Sequence, residues 1–125
     1  MKQYCIEPEL VIDLNRSFVG TEFNVLDRGK LEGALGVPLR IFGGELLVPS
    51  TLGQAAMLIE RVANAHAFVD ANKRTAWVCG VAYLEHHGFI IARVSDSEVV
   101  DLMVSIANNE AEVEEIASWL ADRFS

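Results

Sequence analysis

A chain of 125 residues with 51% hydrophobic content can bury a core of its own; a single domain over residues 1–125 is expected, and disorder is excluded. Eighteen acidic against ten basic residues leave a net charge of −8, which argues against a general nucleic-acid binder but leaves room for a small anion at one local basic site. The longest apolar stretch, Thr75 to Leu84, is too short for a bilayer, and Met1 to Glu7 lacks the apolar core of a signal peptide, so a cytoplasmic protein is expected.

The elements follow in order. Glu7 to Phe18 reads as a first helix, with Pro8 early and with Leu10, Val11, Leu14 and Phe18 at helical spacing. Gly20 ends it and residues 21–26 form a linker. Asp27 caps a short helix to Leu35, closed by Gly36 and Pro38. Residues 37–48 do not read as helix. Their two short apolar runs flank Gly43-Gly44, the pattern of a small hairpin lying as a flap over a groove, or of a tight connecting loop. Ser50 or Thr51 caps a helix reaching about Ala65, with Gln54 as the capping-box partner of Thr51. Leu52, Ala55, Ala56, Ile59, Val62 and Ala63 mark its buried side. Asn72 to about His87 is the next helix. Its middle is apolar on every side, which places it at the centre of the domain, with Gly80 allowing a neighbour to come close. His86 and His87 suit its last turn, and Gly88 its end. Cys79, in this run, and the distant Cys5 are expected as reduced thiols. After an apolar link at 89–93, Ser95 or Ser97 caps a helix with Val99, Leu102, Met103 and Ile106 inward. Glu110 to Arg123 is the last helix. The expected fold is all-α, with about six helices and a small β-hairpin flap.

Between the two long helices lies His66-Ala-Phe-Val-Asp-Ala-Asn-Lys-Arg74, the densest collection of reactive side chains in the chain. Neutral imidazole at His66 is suited to taking a proton from a hydroxyl. Phe68, apolar in a polar loop, is an anchor into the core. Asp70 is either a cap for the next helix or a Mg2+ ligand beside phosphate oxygens. Asn72, itself a good cap, leaves Asp70 free for the metal. Lys73 and Arg74 oppose the dipole at a helix start, and a bound phosphate would offset that conflict. A zinc site from these residues with Cys79, His86 or His87 is disfavoured, because the helix carries His86 and His87 about 20 Å from Lys73.

The pattern His66-x-Phe68-x-Asp70-x-Asn72-Lys73-Arg74 resembles the signature of the Fic/Doc family, and within it the Doc branch. The resemblance extends over the whole chain in length, helix order and loop position. It implies an all-α Fic-like domain in which His66 is the base, Asp70 the Mg2+ ligand, Asn72, Lys73 and Arg74 the phosphate cradle for ATP, and Phe68 the loop anchor. Fic enzymes that transfer AMP carry His-Pro-Phe and Gly-Asn-Gly-Arg. This chain has Ala67 for the Pro, Ala71 for the first Gly and Lys73 for the second. Doc toxins share that Lys, and the resemblance then implies a protein kinase transferring the γ-phosphate to a threonine of translation elongation factor Tu, which arrests translation. Val69 stands where some Doc loops carry a polar residue. The restraining Ser/Thr-x-x-x-Glu-Gly/Asn segment of many Fic enzymes has no match, because Arg28 precedes Glu32-Gly33 at the required spacing. The resemblance implies an antitoxin whose tail folds on binding instead. It also makes the segment around Gly43-Gly44 a flap for a target strand. The competing readings are a protein adenylyltransferase using the same loop, a ribonuclease toxin, which the acidic charge disfavours, and a catalytically silent binding module.

Overall fold

In the computed structural model, which describes residues 3–125, the fold is built around a helix that has almost no polar face to give to water. This is α3 (Thr51–Ala65), whose buried residues run from Gly53 through Gln54, Ala55, Ala56, Leu58, Ile59 and Val62 to Ala63. Burial spread so widely around a helix requires partners on several sides. It packs against α2 (Arg28–Gly36), α4 (Asn72–His86), α5 (Asp96–Ala107), α6 (Val113–Ala121) and the 3-10 turn at Val37–Leu39. Each fully buried Leu58, Ile59 or Val62 side chain contributes about 1.5–3 kcal/mol.

The central helix is therefore α3, where the apolar sequence pointed to α4. The latter buries Thr75, Ala76, Cys79, Gly80, Tyr83 and Leu84 along one face, and Ala82 on the other side is exposed. Alanine and half-covered Trp77 tolerate water, so an apolar run did not amount to full burial. Gly80 does mark a close approach: a Cβ there would overlap the Ile59 side chain on α3. The first helix, α1 (Pro8–Val19), buries Pro8, Val11, Ile12 and Asn15, an i, i+3, i+4, i+7 stripe with an amide in it. Leu10, expected inward, is 63% exposed, because the stripe turns about the buried Asn15 instead.

The caps follow short-range chemistry. Asp27 accepts the Lys30 N–H at 3.0 Å and Ser95 that of Glu98 at 3.2 Å. Ser50 rather than Thr51 caps α3, accepting the Gly53 N–H at 3.0 Å. Gln54 makes no capping box: it donates to the Val48 carbonyl at 2.8 Å and accepts from the Tyr83 hydroxyl, tying α3 to α4. The last helix is shorter than expected, since Glu112 and Glu115 form a reciprocal capping box that starts it at Val113. The apolar link at 89–93 pairs with the C-terminus: Ile90 and Ser125 exchange backbone bonds, and the Ala92 N–H reaches the Arg123 carbonyl.

Strands β1 (Ile41–Phe42) and β2 (Glu45–Leu46) form the hairpin, antiparallel with Ile41 opposite Leu46 and Phe42 opposite Glu45. Gly43 and Gly44 both have positive φ, at 59° and 85°, which a two-residue turn of this hand requires. All-α architecture with six helices and one small hairpin thus holds among the described residues. Among them, no helix is long and apolar enough to cross a membrane.

Candidate functional site

The loop at 66–71 is bracketed by two residues in the left-handed conformation. His66 ends α3 with φ 51° and ψ 41°, and Ala71 precedes α4 with φ 59° and ψ 28°. Neither is glycine, so each costs on the order of 1 kcal/mol and persists only if its surroundings hold it. Three sets of bonds do so. The segment before α2 lies antiparallel to the loop, with a bridge between Val25 and Phe68, and the Leu26 and Asp27 N–H groups share the Ala67 carbonyl at 2.7 and 3.1 Å. The Asn72 side chain turns back on the loop, accepting from the Phe68 N–H at 3.2 Å and donating to its carbonyl at 3.0 Å. Asn15 donates to the Asp70 carbonyl at 3.0 Å. Phe68 itself is buried in the core cluster, 2% exposed.

The helix that follows is capped by no side chain. Ala71 holds the cap position, Asn72 is engaged with Phe68, and Asp70 bonds the Ala71 N–H at 2.8 Å. The expectation that Asp70 or Asn72 caps α4 is corrected accordingly. The first intrahelical bond runs from the Thr75 N–H to the Ala71 carbonyl, so the N–H groups of 72, 73 and 74 have no place in the helical ladder. They form the positive end of the helix dipole.

This end faces a cleft of about 540 Å³. His66, Asp70, Asn72, Lys73 and Arg74 line it on the loop side, with Trp77 beside them, and Val99, Val100, Met103 and Val104 of α5 form an apolar wall opposite. Lys73 is exposed, and the Arg74 guanidinium lies 4.1 Å from the centre of the Phe18 ring, a cation–π contact that holds the fork against α1. His66 also borders a second cleft of about 340 Å³ between α2 and α3, lined by Lys30, Gly33, Glu60, Arg61 and Asn64. The imidazole thus stands between two hollows.

One carboxylate oxygen of Asp70 takes the Ala71 N–H, and the other has no protein hydrogen bond among the described residues. Among these residues no three of His, Cys, Asp and Glu gather to hold a metal by themselves. One free carboxylate oxygen beside an uncapped helix N-terminus is compatible with Mg2+, an ion that takes few protein ligands and completes its shell with water and other oxygens.

A family model described as Fic/DOC family matches residues 5–84, from the segment before α1 to the last turns of α4. The chain belongs to the Fic/Doc family. It is 33% identical over 122 residues to a protein named Toxin Doc from Mycolicibacterium smegmatis, covering 97% of this chain and 93% of that one. It is also 33% identical over 120 residues to a protein named Protein kinase doc from Escherichia phage P1, covering 92% and 91%. Both similarities run through the loop and place the chain with the Doc-type members.

Two contributors to this Doc-type loop escaped the sequence reading. Asn15 and Asn24 are buried amides linked to each other and to the loop backbone. The available signal was the position of Asn15, four residues after Val11 in the buried stripe of α1. The α5 wall was also missed as part of the site, since Val99 and Met103 read simply as core positions.

Proposed function

We propose that this protein is the toxin of a toxin–antitoxin pair and a protein kinase. It would transfer the γ-phosphate of ATP, with Mg2+, to a threonine of translation elongation factor Tu and so arrest translation. The carrying observation is that one cleft joins an imidazole, a free carboxylate oxygen, and an uncapped helix N-terminus flanked by Lys73 and Arg74. Phosphoryl transfer needs positioning and charge neutralisation more than covalent help from the protein, and this set supplies both.

Within this reading the phosphates lie against the N–H groups of 72–74, with Lys73 as a point charge and Arg74 as a planar fork. Asn72 acts through the loop backbone that its side chain clamps. Asp70 would hold the Mg2+, which when bound neutralises phosphate charge. The acceptor hydroxyl approaches His66, whose ring nitrogen takes its proton as the oxygen bonds to the γ-phosphorus. The bond to the β–γ bridging oxygen breaks, and ADP leaves. The second cleft, on the α2 side of His66, supplies an approach for the acceptor, and the exposed β1–β2 hairpin offers an edge to which a target strand could add. An antitoxin tail folding over this face would supply the restraint.

The test is the mass of elongation factor Tu after incubation with the protein, ATP and Mg2+. A gain of one phosphate is expected. A gain of AMP would replace the kinase with an adenylyltransferase. An unchanged mass, with growth inhibition surviving His66→Asn, would leave a binding module.

A further inference from the structure

We propose that Asn15 is a positioning residue: from α1 it holds the Asp70 carbonyl, and so maintains the left-handed turn at Ala71 that aims the first turn of α4 into the cleft. Its kinetic consequence rests on the phosphoryl-transfer reading; its structural consequence does not.

Asn15 is fully buried, in a stripe otherwise made of Pro8, Val11 and Ile12. An amide in such a place must satisfy its hydrogen-bonding groups inside the protein. Both amide hydrogens are used, and both are aimed at one turn: Nδ2 donates to the Asp70 carbonyl and to the Thr75 Oγ1, each at 3.0 Å. These two acceptors straddle Ala71, whose carbonyl takes the first helical bond, from the Thr75 N–H at 2.9 Å. The orientation of the amide is itself fixed. Its Oδ1 accepts from Asn24 Nδ2 at 3.1 Å, and Asn24 also donates to the Ile12 carbonyl at 3.0 Å. The Asn24 backbone carbonyl in turn accepts the Val69 N–H at 2.9 Å.

The other holds on the loop act earlier along it. The Val25 bridge, the shared Ala67 carbonyl and the Asn72 clamp all engage residues 67 and 68. For Asp70, the bond from Asn15 is the one that reaches in from another element among the described residues. Ala71 carries a Cβ in a region that glycine enters freely and alanine does not. Released from Asn15, the turn would relax, and the N–H groups of 72–74 would swing with it.

Amide hydrogen exchange on the ligand-free full chain reads this hold without any substrate. Asn15→Ala is expected to raise exchange at the hydrogen-bonded loop amides of Val69 and Ala71 by about tenfold relative to the α3 amides. It is expected to lower kcat for phosphate transfer by about a hundredfold, with a smaller change in KM for ATP. Thr75→Val removes the other bond of the same amide; it should lower Tm while leaving loop exchange and kcat near wild type. Adding Ala71→Gly to Asn15→Ala should return about tenfold in kcat, because glycine takes the left-handed turn unaided. Asn15→Asp, which keeps the volume and the Asn24 bond but not the donors, should repeat the pattern if Asn15→Ala does not fold. Loop exchange at the wild-type level in these Asn15 variants, or an increase spread evenly over α1 and α3, overturns the proposal. Raised loop exchange in a protein whose wild type transfers no phosphate supports the hold and removes the kinase reading alone.

Discussion

At the level of single residues, the loop separates into side chains that hold and side chains that face the cleft. Phe68 holds. Its ring is buried in the core cluster, so Phe68→Ala should cost about 3–5 kcal/mol in urea unfolding, because the loop can collapse only partly into the void. His66 faces the cleft and is exposed. His66→Asn should leave stability within about 0.5 kcal/mol, since asparagine tolerates the left-handed conformation, while cutting phosphate transfer by about 10²–10⁴. Comparing unfolding curves with initial rates separates the two roles. Lys73 is where the proposed reaction is most exposed. With α- and γ-labelled ATP, wild type should transfer only the γ label. Lys73→Gly should lose most γ transfer, and α label appearing on the acceptor would show that the side chain selects the direction of transfer. These residues were legible as a group because their types are unusual together. Their division of labour was not: nothing in the spacing of Asn72 says that its amide turns back to Phe68 instead of forward to a ligand.

At the level of elements, the hairpin and the caps carry the argument. A two-residue pair of strands has too few hydrogen bonds and too little covered surface to be stable alone. Here it stands out from the helices with Ile41, Phe42 and Leu47 exposed, Phe42 at 78%. Within the proposed reading, such an exposed patch suits a docking strand better than a structural role. Phe42→Ser should therefore change Tm little while raising KM for the acceptor protein severalfold and leaving KM for ATP unchanged, as measured by acceptor and nucleotide titrations. The glycine pair at 43–44 was readable because only a turn of one hand fits both positive φ values. Helix starts were readable where a single short-side-chain cap stood alone, as at Asp27. They stayed open where two caps competed, as with Ser50 against Thr51 and Ser95 against Ser97, and slipped where the cap was a glutamate, as at Glu112.

At the level of the whole molecule, the α3–α4 core sets the response to pH. Cys79 is buried between the helices, and burial first, then the neighbouring Cys5, pushes its thiol up from 9.0 to about 12. The Tyr83 hydroxyl moves the same way, from 10.0 to about 12, again chiefly through burial. A group whose folded pKa is raised keeps its full contribution below its unfolded pKa and loses it as pH climbs toward the folded value. Stability should thus be independent of these groups below about pH 9 and fall between about pH 9 and 12, by about 1.4 kcal/mol per pH unit for each group titrating. Urea unfolding across that range checks the slope, and Cys79→Ala should reduce it above pH 9.

What the sequence by itself determined is what acts at short range or through repetition. Helical periodicity, the glycine turn, the neighbouring caps and the nine-residue loop are all written in residues a few positions apart, and the loop also carries the family resemblance. What only the tertiary structure decided is what depends on contacts across tens of residues. The choice of α3 over α4 as the central helix follows from which apolar faces find partners, not from how many apolar residues each contains. The pairing of the 89–93 link with the C-terminus and the α5 wall of the cleft exist only once distant segments meet. So does the hold of Asn15 on a carbonyl 55 residues away. A buried amide resembles any polar residue until its partners are known, because its energetic effect changes sign with whether they are there.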